Sequence, residues 1–251
     1  MASNRFQNKI VLVTGGNSGI GLAAAQAFAK EGARVVVAGR DPKTLEQAKA
    51  SIGANAIVVQ ADVAKLADID RVIAETAKLS GRIDVLFVNA GTGAFLPIEA
   101  SDEELFDRLV ATNVKGAYFT IQKALPHMRE GSSIVINASS VVDMGIPNSS
   151  VYTATKAAVA SLARSLALEL GPRGIRLNVV NPGPTETPIF GRMGLDAETT
   201  KAMAAQIIAG VPMKRFGAPE EVARAVLFLA SDEASFVHGA SLGVDGGMAA
   251  L

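Results

Sequence analysis

The sequence predicts an α/β fold, a doubly wound Rossmann-type parallel sheet of about seven strands with helices on both faces. Three observations point there. Short β-branched runs alternate with amphipathic segments along the whole chain, the pattern of βαβ units joined by right-handed crossovers. The runs are almost unbroken in apolar residues, as strands covered on both faces are. The 251 residues are 49% hydrophobic and only 19% charged, which suits one large two-sided core. No Pro/Ser linker, charge run or repeat divides the chain, so residues 1–251 read as a single domain.

The first strand, KIVLVT, runs into Thr14-Gly15-Gly16-Asn17-Ser18-Gly19-Ile20-Gly21 and the helical stretch LAAAQAFAK. A strand that feeds a helix through glycines lets backbone N–H groups reach a pyrophosphate at the positive helix terminus. A side chain at Gly15 or Gly19 would obstruct that approach. Gly21 is expected to allow close helix–sheet packing. A tight turn that holds no ligand is the plainer reading of such a loop taken alone. The second strand, RVVVAG, ends at Arg40, where the dinucleotide fingerprint calls for an acid that binds the ribose 2′-hydroxyl. An arginine there grips a 2′-phosphate and stacks on adenine, so NADPH is expected in preference to NADH. Asp41, one step later, keeps NADH open.

AIVVQA and IDVLFVNAG give the third and fourth strands, followed by an Ala- and Leu-rich helical region over 103–129. The fifth strand, SIVINAS, ends at Ser139, thirteen residues before Tyr152, which opens a helix over 151–171. Tyr152 and Lys156 are four residues apart and share one helix face. A free phenol is too weak an acid for proton exchange at neutral pH, and a neighbouring ammonium is expected to lower its pKa. So tuned, it becomes a usable general acid–base. Spacing favours Ser139 as the hydroxyl that meets a substrate oxygen, with Ser140 as its rival. The sixth strand, IRLNVVNPG, leads to a loop holding Pro182, Pro184 and Pro188, and 188–213 is the expected substrate lid. SLGVDGG supplies the last short strand.

Taken in order, these motifs resemble the classical short-chain dehydrogenase/reductase family over essentially the whole chain. Thr14 to Gly21 resembles its TGxxxGxG loop, with Asn17, Ser18 and Ile20 among the cofactor contacts that this implies. Asp62 and Val63 resemble its adenine-side acid, and Asn89-Ala90-Gly91 its NAG motif, with Val88 where a second asparagine often stands. Asn113, Ser139, Tyr152 and Lys156 match its catalytic tetrad. Pro182, Gly183, Thr185 and Thr187 fall in the loop that resembles its nicotinamide-carboxamide segment, and Val244-Asp245-Gly246-Gly247 is similar to its C-terminal signature. The resemblance implies an NADP(H)- or NAD(H)-dependent oxidoreductase. Ser139 and Tyr152 would bind a carbonyl oxygen and Tyr152 would donate the proton. Lys156 would bind the nicotinamide ribose and lower the tyrosine pKa, and Asn113 would steady a water beyond it. It also implies a homotetramer paired through the helices at 103–129 and 151–171.

Phe95, Met144, Pro184, Ile189, Phe190 and Met193 flank the expected site and predict an apolar pocket for a hydrophobic ketone or secondary alcohol. Lys and Arg total 24, and so do Asp and Glu, which leaves no basic footprint for nucleic acid or an anionic membrane. No signal peptide or long apolar run occurs and cysteine is absent, so a cytoplasmic protein is expected. His127 and His238 stand far apart without a ligand cluster, so no metal is expected. The lack of a Gly-x-Ser-x-Gly elbow argues against a hydrolase. Two other readings are a noncatalytic NADP-sensing protein of the same fold and an epimerase or dehydratase. The latter usually carries a longer C-terminal substrate domain, for which Leu251 leaves no room.

Overall fold

The computed structural model describes residues 4–187 and 196–250. Each predicted strand forms: β1 (Ile10–Thr14), β2 (Arg34–Gly39), β3 (Ala56–Gln60), β4 (Val85–Val88), β5 (Ser133–Asn137), β6 (Arg176–Pro182) and β7 (Ser241–Val244). All pair in parallel, in the order β3-β2-β1-β4-β5-β6-β7. The order reverses between β1 and β4, and that switch point opens the crevice in which an open α/β sheet takes its ligand.

Strand alternation divides the core in two. Leu12, Leu86, Ile134, Ile136, Leu177 and Val179 face one way. They pack toward α3 (Leu66–Ala77), α5 (Gly116–Ala124) and α6 (Ser150–Leu170). Val13, Val37, Phe87, Val135 and Val180 face the other way, toward α1 (Gly19–Lys30) and α8 (Pro219–Ala230). Each such side chain withdrawn from water is worth about 1.5–3 kcal/mol. The alternation therefore fixes register, because a one-residue slip would exchange the two cores. α2 (Pro42–Ile52) closes the β2–β3 crossover, and Asp41 caps it by accepting from Lys43 N–H at 2.9 Å.

The helical region after β4 differs from its expected continuity. α4 (Glu103–Leu109) gives way to a π turn at Val110–Lys115 before α5 begins, and Asn113 sits inside that turn. The wider turn turns Asn113 toward the β4 loop, where its amide finds main-chain partners. Of the expected lid, 188–195 lie outside the described residues, and α7 (Ala197–Gly210) forms most of the remainder. The end of that segment is anchored, since Val211 is buried and Met213 N–H donates to Gly246 O at 3.2 Å.

Candidate active site

The phosphate loop owes its shape to two glycines. Gly15 has φ +62°, and a methyl group placed on it would stand 2.9 Å from Ala90 Cα. A methyl group on Gly21 would collide with Gly15 O and Asn89 Nδ2. Gly21 therefore seats α1 against the loop itself and the β4 end, where the sequence reading had it ease helix–sheet packing. Ser18 makes no side-chain capping bond, and the first turn of α1 holds no acid. The positive end of the helix thus stays open toward the crevice. Asn17 turns sideways: its amide covers Gly39 and donates to Thr44 Oγ1 at 2.7 Å, tying the loop to α2.

Arg40 is exposed at the β2 end and has no ion-pair partner among the described residues. Asp62, after β3, accepts from Ala64 N–H at 3.0 Å, and Val63 packs under Gly116. On the far side of the crevice, Gly183 lies so close to Asp245 that a methyl group would stand 2.6 Å from its Cα. Thr185 donates to Gly183 O at 3.0 Å, and its segment bridges to Gly217. Pro182 closes β6 and Thr187 is partly buried beyond it.

At the β5 end, Ser139 starts a 3-10 turn over Ser140–Asp143, accepting from Val141 N–H at 3.4 Å. Both serines are buried, but it is the Ser139 hydroxyl that acts on the Tyr152 phenol, favouring its ionised form. Lys156 Nζ lies 5.9 Å from the Tyr152 ring centroid and donates to Asn137 O at 2.9 Å. Burial pushes the Tyr152 phenol up, and Ser139 offsets this only in part. That reverses the expected direction, because the energy lost by removing the phenolate from water exceeds what its neighbours return. Burial also lowers Lys156, to about 8. Asn113 accepts from Thr92 N–H (2.9 Å) and donates to Thr92 O (2.9 Å) and Thr155 Oγ1 (3.0 Å). A methyl group on Gly91 would lie 3.3 Å from Lys156 Nζ and 3.4 Å from Asn113 Oδ1, so glycine keeps that gap open.

Asn137 escaped the sequence reading, yet it joins the two halves of the site. Its carbonyl holds Lys156, and its amide donates to Asn89 Oδ1 at 2.8 Å. Asn89 Nδ2 in turn donates to Thr14 O (3.1 Å) and Gly15 O (2.9 Å). A polar residue ending an apolar strand was the available signal. Asn137 Oδ1 is buried without a partner, an omission that ordinarily costs about 1–3 kcal/mol. That orphaned acceptor and the side-chain-free cradle at Gly15 fit a dinucleotide laid over the strand ends.

Phe95 stands beside the site, its ring 5.6 Å from that of Tyr152, and Met144 lines a neighbouring cleft. Pro184 O accepts from Gly217 N–H at 2.9 Å. Ile189, Phe190 and Met193 lie outside the described residues. His238 braces β6 to α6, accepting from Leu177 N–H at 3.1 Å with its other ring nitrogen 2.7 Å from Ala167 O. His127 ends a 3-10 turn before β5.

Comparison with known proteins identifies the family and the fold. A family profile described as enoyl-(acyl carrier protein) reductase matches residues 15–249. Oxidoreductase asL5 of Sarocladium schorii is 41% identical, with 100% of this chain and 99% of that protein covered. The crystal structure of levodione reductase superposes with a TM-score of 0.93 at 37% identity, covering 98% of this chain and 99% of that one. That of 3-ketoacyl-(acyl-carrier-protein) reductase from Brucella melitensis, complexed with NADH, gives 0.89 at 35% identity, covering 97% and 99%. The chain belongs to the classical short-chain dehydrogenase/reductase family of oxidoreductases.

Proposed function

We propose that the protein interconverts ketones and secondary alcohols, using NADPH in preference to NADH, with Tyr152 as general acid–base. The observation that carries the reading is the buried Tyr152 phenol, held down by Ser139 and with a buried Lys156 whose Nζ lies 5.9 Å from its ring, at strand ends that open onto the glycine cradle. A nicotinamide held there supplies the hydride that reduces a carbonyl carbon, or accepts it from an alcohol. The chain's own groups do the rest. Ser139 and Tyr152 offer two hydroxyls to the substrate oxygen, and Tyr152 gives that oxygen a proton as the C=O bond becomes C–O–H. A phenol whose pKa is raised by burial stays protonated at neutral pH, the form that reduction consumes. Lys156 balances the phenolate left behind, Asn137 holds it in place and Gly91 keeps its approach clear.

Cofactor choice follows from charge. Arg40 is free to meet a 2′-phosphate, whereas Asp41 is engaged as the cap of α2. Phe95 and Met144 favour a substrate with an apolar body.

The test is a panel of carbonyl compounds with NADPH and NADH, using wild type and Tyr152→Phe and followed at the nicotinamide absorbance. Consumption by wild type, with at least a hundredfold loss in a variant that still binds cofactor, is expected from removal of a general acid. Undiminished turnover in Tyr152→Phe would end the reading.

A further inference from the structure

Beside the catalytic cluster, the chain exposes an unusual run of apolar side chains. Phe95, Leu96 and Ile98, in the loop after β4, are 39%, 40% and 75% exposed. A contiguous apolar strip left in water is a feature of ligand grooves and interfaces. Phe95 places one end of the strip against Tyr152. Further along the same loop, Pro97, Ile98 and Glu99 line a cleft of about 420 Å³. Met144, Gly145, Ile146, Asn148, Ser149, Ser150 and Thr153 line it as well. That volume lies within the usual range for small-molecule sites, roughly 300–1,000 Å³. It is far more than a three-carbon ketone fills. Part of the polar lining is held in advance: Ser149 donates to Ile146 O at 2.7 Å and its oxygen lies 2.9 Å from Thr153 Oγ1.

Charge gives the cleft a direction. Glu99 is the one charged side chain among the described residues that line it, and it pairs with no cation among them. The neighbours in sequence are acidic too, since Asp102, Glu103, Glu104 and Asp143 lie within a few residues of the lining segments and no lysine or arginine stands between Pro97 and Arg108. Resting on the ketone/alcohol reading above, we propose that this cleft takes the far end of an elongated substrate whose body is apolar and whose terminal group is neutral or cationic. Glu99 is the residue that rejects an anionic end.

The experiment uses the full-length protein, three ketones with the same apolar body, and terminal methyl, trimethylammonium or carboxylate groups. kcat/KM is expected to fall from cation to anion by about five- to tenfold, the size of one near-surface charge contact. Glu99→Gln should collapse that ratio, and Glu99→Lys should invert it. Calorimetric binding of the three compounds to the cofactor-loaded protein reads the cleft without turnover. Binding in the charge order with no turnover would remove the reductase reading and keep the cleft. Equal turnover or binding of all three, or a ratio indifferent to the Glu99 substitutions, would overturn the cleft assignment and leave the reaction standing.

Discussion

Arg40 and Lys156 are cations in opposite surroundings, and each yields a separate expectation. Arg40 stands in water at the end of β2, so its replacement costs the fold nothing that the structure records. Arg40→Ala is expected to raise the KM for NADPH by tenfold or more, about the worth of one charge-assisted phosphate contact, while the KM for NADH shifts far less. Steady-state kinetics with both cofactors is the check. Lys156 is buried and lowered to about 8. Between that value and the ordinary lysine value of 10.5, the unfolded chain holds a proton that the folded chain has released, so stability rises with pH. From pH 8 to 9.5 the gain is about 1.6 kcal/mol, and Lys156→Met should abolish it. Urea midpoints at the two pH values decide. Above pH 10 the raised Tyr152 acts the other way, because the folded phenol keeps a proton that the unfolded one loses. The Tyr152–Lys156 spacing was legible because helix geometry alone puts the pair on one face. The direction of the tyrosine shift was not, because burial belongs to the packed state.

At the scale of elements, seven apolar runs became seven strands because a parallel strand covered on both faces needs almost nothing else. The π turn at Val110–Lys115 had no such signature. Its residues form helix readily, and what widens the turn is a pair of hydrogen bonds to Thr92, 21 positions earlier. Extra residues of this kind recur at functional sites. Asn113→Ala leaves the N–H and C=O of Thr92 without their partners, and stability should fall by about 2 kcal/mol. For a chain of this length that is a Tm lower by about 5 °C, readable by thermal denaturation. Asn137 was illegible for a related reason. Its partners, Asn89 and Lys156, come from other segments and meet only when β4 and β5 pair.

Over the whole molecule, the fold and the order of motifs were readable, and the assembly is where sequence and surface now meet. Phe106 on α4, Tyr118 on α5 and Leu168 on α6 all stand out in solvent. Three helices with large apolar side chains outward are what a two-fold contact between copies needs, because an isologous patch must match itself. Light scattering is expected to give the mass of four chains of 25.9 kDa, and Leu168→Glu to lower it. No helix among the described residues is long and apolar enough to cross a membrane.

The switch between β1 and β4 also sets a timetable for synthesis. β1, β2 and β3 are complete once 60 residues have left the ribosome, but the second edge of β1 stays bare until Val85–Val88 emerge. During that interval a nascent chain carries an open, largely apolar strand edge, a feature prone to pair with other chains. Pairing with β4 covers that edge, and the Thr14 hydroxyl, which accepts from Asn89 N–H and Ala90 N–H, fastens the chain just beyond it.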